Sequence, residues 1–359
     1  MTICIFVFPM LENKDTRTEL SSLGEFGLIK YISQHIKLSN PSSLKGIGDD
    51  AAVIQYESGK QTLVSTDMLV EGVQFDLTYC PLKHLGYKAI SVNLSDIYAM
   101  NALPKQVLVS IAISSRFSLE AIEELYAGML LACEKHGVDL VGGDTSSSRM
   151  GMIISITAIG EADKKEIVYR SGAKPGNLLC VSGDLGAAYL GLQILEREKK
   201  IFMENPQIQP DMEGNDYMLE RQLKPEARKD VIAQLKEAGV KPTSMIDISD
   251  GLASETLHLC TESGTGCRLY ENKIPLDDSA IQRAKEFNMN PTVCALNGGE
   301  DYELLFTIDM LDHDKIKKCK DITIIGHITE KSEGINLVLT GTEMLTPITA
   351  QGWDALKDK

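Results

Sequence analysis

The carboxylates of this chain sit in unusual places. They stand beside glycines and hydroxyl residues at the ends of apolar segments: Gly48-Asp49-Asp50, Ser65-Thr66-Asp67, Gly142-Gly143-Asp144, Asp247-Ile248-Ser249-Asp250-Gly251 and Gly298-Gly299-Glu300-Asp301. Surface acids usually lie on helix faces with Lys or Arg three or four residues away. A glycine beside an acid lets the backbone turn tightly and approach a ligand. Aspartate, serine and threonine oxygens are hard donors, suited to Mg²⁺, Mn²⁺ or Ca²⁺ rather than zinc or copper. Any one Asp-Gly pair is ordinarily a turn; the recurrence carries the argument. If the clusters meet in space, their mutual repulsion calls for cations, and a site holding several divalent cations suits a nucleotide phosphate chain. Asp96 is a separate case. It lies within a helical stretch of small and apolar residues, with Lys88 and Val92 on its face. Either a solvated face or a partner for its charge accounts for it.

Two local patterns are decoys. Gly46-Ile47-Gly48-Asp49-Asp50-Ala51 fits a loose dinucleotide fingerprint, but two aspartates in that turn would repel a bare pyrophosphate. Asp247 to Gly251 resembles the start of an EF-hand loop, with its glycine one position early. No P-loop and no protein-kinase motif set is present. The eight cysteines form no Cys-x-x-Cys and stand in no ligand spacing with the six histidines, which excludes an obvious zinc site and favours reduced thiols in a cytoplasmic protein.

The elements that must position these groups are those of a globular chain. With 359 residues, 43% hydrophobic and 24% charged, the length predicts two domains. A net charge of −15 excludes global attraction to nucleic acid or an anionic membrane. The longest apolar run, residues 3–8, is far short of the ~20 residues a membrane span needs. No Lys or Arg precedes it and no small-x-small site follows, so a secretory signal is not expected; residues 1–19 read as a leader, with Met10 as an alternative start. Hydrophobic periodicity predicts helices over 20–36, 82–100 and 119–136, the last capped by Gly137. Strands are expected over 51–56, 61–65, 72–78, 106–113, 138–141 and 152–160, with a loop over 41–45. The Gly/Pro-rich turn at 170–177 marks a boundary between domains 20–170 and 171–359. Beyond it the pattern predicts strands at 178–182, 302–308 and 322–325. Helices are expected from 185 and over 225–238, 249–263 and 312–320, with 201–215 as a loop or lid. Several strands per helix favour an α+β or mixed-sheet α/β class over a regular βαβ array.

In order along residues 22–353, Gly24-Glu25-Phe26, Gly48 to Val53, Ser65 to Val73, Asn93-Leu94-Ser95-Asp96, Gly142 to Thr145, Val181 to Gly186, Asp247 to Leu252 and Gly298 to Phe306 resemble the motifs of the thiamine-monophosphate kinase family. The last motif is the most specific to it. The others echo the wider aminoimidazole ribonucleotide synthetase-like superfamily. The resemblance implies a two-domain fold, with an N-terminal mixed-sheet domain that dimerises, a C-terminal α/β domain and ATP in the cleft. It implies Mg²⁺ ions held by Asp49, Ser65, Thr66, Asp67, Asp96, Asp144, Asp247 and Asp250, and ATP touched by Tyr126, Gly143, Asp144, Arg170 and Ser249. Glu300 and Trp353 would contact the thiamine moiety, and Gln74 would take part in substrate binding. The family usually has His where Gln74 stands; Gln donates and accepts hydrogen bonds but carries no charge.

The implied reaction is phosphorylation of thiamine monophosphate by ATP to thiamine diphosphate. A phosphate monoester has a second pKa of about 6, so the nucleophile is already ionised and no general base is required. The barrier is the approach of two polyanions, which metal clamps and in-line positioning relieve. Lys88 and Arg170 are candidate counter-charges. Two alternatives stand beside this reading: another ATP-using member of the superfamily, and a non-catalytic divalent-metal or nucleotide-binding protein.

Overall fold

A computed structural model describes residues 31–45, 53–54, 59–342 and 344–351. The chain divides into two compact units. Unit 1 comprises the described residues through Ile97, with Ala102–Lys165 and Glu198–Pro210; unit 2 comprises Tyr98–Asn101, Glu166–Arg197 and the residues from Asp211 onward.

Unit 1 is built on a four-stranded sheet. Its strands are β3 (Lys60–Val70), β4 (Leu103–Ile113), β5 (Asp139–Ser147) and β6 (Ile153–Asp163), in the order β3-β6-β4-β5. β6 runs antiparallel to β3 and β4, and β5 runs parallel to β4, so the sheet is mixed. A small antiparallel ribbon of β1 (Ser43–Lys45) and β2 (Val53–Ile54) forms a separate sheet against β5, with the Ser43 hydroxyl accepting from Gln106 of β4. Side chains along β3 alternate: Leu63 and Leu69 are buried and Ser65 and Asp67 half-buried, whereas Val64, Thr66 and Met68 are exposed. Such alternation belongs to a sheet covered on one face only.

Helices α1 (Leu82–Ala99) and α2 (Leu119–His136) pack against each other in this unit. α2 has the ends its sequence predicts. The Ser118 hydroxyl accepts the Ala121 N–H at 3.3 Å, and Gly137 closes the helix at φ 70°. The helices touch backbone to backbone. A Cβ at Gly86 would lie 1.9 Å from the Leu125 carbonyl oxygen, and one at Gly128 would lie 1.8 Å from that of Lys83. Each glycine costs helix propensity, and each is required by the crossing. α1 also lies close to β6, where a Cβ at Gly160 would meet the Ile97 side chain at 2.5 Å.

Unit 2 carries a seven-stranded sheet of order β13-β12-β9-β11-β7-β10-β8. Its strands are β7 (Leu178–Ser182), β8 (Ser244–Asp247), β9 (Gly266–Tyr270), β10 (Leu304–Ile308), β11 (Ile322–Thr329), β12 (Ile335–Val338) and β13 (Leu345–Pro347). All pairings are antiparallel except β12 with β9. β7 and β10 are buried along their whole length, which is why they read as continuous apolar runs. The described helices are α3 (Ala187–Glu204), α4 (Asp216–Leu223), α5 (Lys229–Glu237), α6 (Leu252–Ser263), α7 (Asp278–Glu286), α8 (Pro291–Asn297) and α9 (His313–Ile316); unit 2 takes α3 only through Arg197. α6 packs Leu252 and Leu259 into a core with Leu179, Val181, Ile246 and Leu305.

Several expectations need correction. Residues 72–78 form turns rather than a strand: the Gly72 N–H bonds Phe75 O at 2.7 Å, and Val73 and Gln74 bond back to Val70. Residues 43–45 are strand rather than loop. The helix read from 225 starts at Lys229, the one read from 249 starts at Leu252, and that read over 312–320 shortens to His313–Ile316. Residues 201–204 complete α3, and Pro206 keeps Asn205 from continuing it.

Candidate functional site

In unit 1, β3 and α1 bring together the Ser65, Asp67 and Asp96 side chains. The Ser65 hydroxyl donates to the Asp96 carboxylate. Burial, with the Asp96 charge beside it, pushes the Asp67 carboxyl up to about 6. Asn93, on the same helix, accepts the Asp67 N–H at 2.9 Å and donates to Ala89 O at 2.9 Å. β3 is an edge strand, so this side chain satisfies a backbone donor the ladder leaves unpaired. Thr66 points to the opposite face, where its hydroxyl donates to Ile156 O at 2.9 Å. Asp144 lies on β5, three strand positions from β3 and thus about 14 Å across the sheet. It is exposed beside Gly143, where a Cβ would meet the Val109 carbonyl oxygen at 1.8 Å.

In unit 2 the Asp247 and Glu300 loops are zipped together. Asp247 pairs with Leu304 at the end of the β8–β10 ladder. Beyond it, Glu300 N–H donates to Ser249 O at 2.7 Å, Tyr302 N–H to Ile248 O at 2.8 Å, and Ile248 N–H to Glu303 O at 2.7 Å. Glu300 and Tyr302 adopt φ of 60° and 52°, a left-handed conformation costly for side-chain-bearing residues. Gly299, at φ 71°, leaves room that a Cβ would close to 2.6 Å from Ser249 O. The Glu300 carboxylate accepts from Gln222 at 2.9 Å. Glu255, in the first turn of α6, accepts the Asp250 N–H at 3.1 Å. Burial pushes its carboxyl up to about 8; the Asp250 N–H pulls it down, and the charges of Asp250 and Asp247 add to the rise.

A buried ionic network anchors the same motif. Glu303 accepts from Ser182 at 2.5 Å, from Arg221 at 2.8 Å and from Arg228. Asp301 accepts the Gly186 N–H at 2.9 Å and lies 3.7 Å from Arg221; burial raises its carboxyl to about 7 against the pull of that arginine. Tyr217 donates to Asp184 at 2.5 Å. Within Gly298 to Phe306, then, Asp301 and Glu303 hold the loop and Glu300 is left half-buried above them.

The remaining candidates are dispersed. Tyr126 is buried on α2, and its hydroxyl is pushed up by burial. Arg170 is exposed in unit 2, in the segment whose carbonyl accepts from Ser263. The Gln74 side chain folds back onto the Val70 N–H at 2.9 Å. Lys88 is buried on α1. Asp49 and Trp353 lie outside the described residues. Among the described residues no three acidic, His or Cys side chains converge closely enough to chelate a metal directly. Sequence reasoning missed Asn93 as an anchor, Gln222 beside Glu300, and Glu255. Of these Asn93 left a signal, standing in the Asn93-Leu94-Ser95-Asp96 motif, whereas Glu255 reads as an ordinary acid of a helix first turn.

The fold and its acidic loops define a class: residues 48–162 match the family described as AIR synthase related protein, N-terminal domain. Over 319 residues, 88% of this chain and 94% of the relative, the sequence is 36% identical to thiamine-monophosphate kinase of Aquifex aeolicus (strain VF5). A solved structure of AaThiL complexed with AMPPCP and TMP shares 34% identity and a TM-score of 0.70, covering 94% of this chain and 99% of that one. The crystal structure of thiamine-monophosphate kinase from Stenotrophomonas maltophilia K279a superimposes with a TM-score of 0.75 at 28% identity, over 90% of this chain and 98% of that one. The chain belongs to the thiamine-monophosphate kinase family.

Proposed function

We propose that this protein transfers the γ-phosphoryl group of ATP directly to the phosphate of thiamine monophosphate, giving ADP and thiamine diphosphate. The observation that carries this reading is the likeness to AaThiL complexed with AMPPCP and TMP, over nearly the whole of both chains. The donors present fit magnesium, being carboxylate and hydroxyl oxygens. The Asp67 carboxyl, pushed up to about 6 by burial and the neighbouring Asp96, is in a conflict that a divalent cation relieves. Asp49, Ser65, Asp67, Asp96 and Asp144 would hold magnesium in unit 1, and Asp247 and Asp250 in unit 2. Thr66 would take part through its peptide oxygen, since its hydroxyl is engaged on the other face. Magnesium, when bound, neutralises charge on the phosphates that must approach each other.

The chain's own residues do the rest. Gly143 lets backbone come close to the phosphates, while Asp144, Arg170, Ser249 and Tyr126 contact the nucleotide. Glu300, oriented by Gln222, sets a carboxylate against the cationic thiazolium, and Trp353 offers it a π face. Gln74 contributes an uncharged amide to substrate binding. The acceptor phosphate is ionised at neutral pH, so no side chain needs to remove a proton. The working form is a homodimer built on the open face of the unit 1 sheet, where Val64 and Met68 are 65% and 57% exposed. The thiols of Cys80, Cys133, Cys180, Cys260, Cys267, Cys294 and Cys319 are free, which supports a reducing, cytoplasmic setting. No described helix is long and apolar enough to cross a membrane.

The test is a product assay. Protein, ATP and Mg²⁺ are incubated with thiamine monophosphate, and with free thiamine in parallel, and products are separated by chromatography. Thiamine diphosphate from the monophosphate alone, abolished by a chelator, is the expected result. ATP turnover without that product would point to another acceptor, and radiolabel retained on denatured protein would rule out direct transfer.

A further inference from the structure

Glu255 is only 2% exposed, in the first turn of α6. One carboxylate oxygen, Oε1, accepts the Asp250 N–H. The other, Oε2, is buried with no hydrogen-bond partner. The two acids whose charges it feels are Asp250 and Asp247. The loop cannot relax to relieve this. Gly251 sits at φ 114°, where a Cβ would lie 2.6 Å from Leu296 O, and the adjoining Ser249 carbonyl is tied to Glu300. An orphaned carboxylate oxygen held against two further carboxylates costs stability. A group of this kind calls for a specific explanation, an ion or a water foremost.

We propose that Glu255 is a third, hidden carboxylate of the divalent-cation site of unit 2, holding a cation carried by Asp247 and Asp250 through a cation-bound water. This rests on the reading that Asp247 and Asp250 hold a cation. Contact through water is the form that fits, because no three such side chains among the described residues converge for direct chelation. A hard cation keeps water in its shell, and that water donates its protons to a buried carboxylate acceptor. Glu255 is in this sense a positioning residue. Oε1 fixes the Asp250 peptide, and Oε2 fixes the cation's water.

The test uses the full chain and Mn²⁺ alone, without nucleotide. Bound manganese is counted by electron paramagnetic resonance, and thermal unfolding is followed with and without the metal. Glu255→Gln is expected to weaken one class of Mn²⁺ sites about tenfold or more and to leave the other classes unchanged. Its metal-free melting temperature should stay near the parent's, because glutamine keeps the shape and an oxygen to accept the Asp250 N–H, and the rise in melting temperature that Mn²⁺ produces should shrink. Glu255→Asp, which keeps the charge on a shorter arm, should retain the same number of Mn²⁺ sites with weaker binding, and it substitutes if the glutamine variant does not fold. A merely structural role would instead lower the metal-free melting temperature and leave Mn²⁺ affinity intact, which overturns the proposal. Asp250→Asn separates the two levels. If it also leaves all Mn²⁺ classes intact, the underlying reading of the Asp247 and Asp250 site fails; if it removes one class and Glu255→Gln does not, only the role of Glu255 fails.

Discussion

Asp67 and Asp96 hold their charges close together because Asn93 ties the Asp67 peptide to α1 and Ser65 ties the Asp96 carboxylate to β3. On the proposed reading, replacing one carboxylate removes both a donor and half of the repulsion that a cation would relieve. Asp96→Asn should therefore reduce turnover by far more than tenfold while the chain stays folded, as read by steady-state product formation and circular dichroism. Near-normal turnover would remove Asp96 from the metal-holding set. Asp139 plays a different part. Burial alone would raise its carboxyl, but hydrogen bonds from Ser43, Ser39 and Asn40 outweigh burial and hold it below the ordinary range. Because the folded value lies below the unfolded one, near 3.9, this group stabilises the fold above that pH and loses the contribution as pH falls through the folded value. Asp139→Asn should cost about 1–3 kcal/mol at neutral pH. It should also flatten the acid limb of the stability profile, which urea unfolding across pH measures.

Helices α1 and α2 show what the glycine pair does at the scale of elements. Gly128→Ala forces a methyl group onto the Lys83 carbonyl, so the helices must separate. A loss of about 1–3 kcal/mol is expected in denaturant unfolding. Adding Gly86→Ala should deepen the loss, because both contacts lie in one crossing. The same elements show what was legible in advance. α2 was readable to its last residue because Ser118 and Gly137 are local signals that no tertiary contact overrides. Residues 72–78 alternate like a strand, yet Gly72 at φ 84° turns the chain and Gln74 spends its side chain on Val70. β8 was missed because its four residues merge into the acidic loop, and α4 because its composition is as polar as the segment before it. The acidic loops could be seen from residue type and glycine spacing. Glu255 could not be distinguished from the ordinary acid of a helix first turn, since only its burial and unpartnered oxygen set it apart.

At the scale of the whole molecule, the proposed homodimer rests on the open face of the unit 1 sheet. A chain of net charge −15 repels its own copies, so association has to be driven by apolar area such as that around Val64 and Met68. Met68→Lys should convert a dimer into a monomer in sedimentation equilibrium and leave the unfolding of the isolated chain nearly unchanged. A parent protein already monomeric at micromolar concentration would refute the dimer.

On the proposed reading β3 has two jobs at once. Its odd-numbered residues, Ser65 and Asp67 among them, face α1, and its even-numbered residues, Val64, Thr66 and Met68, face outward. Neighbouring positions on this strand therefore answer to different kinds of failure. In a saturating mutational scan, tolerance along 63–69 should rise and fall with a period of two. Losses at even positions should be recoverable by raising protein concentration, and losses at odd positions should not.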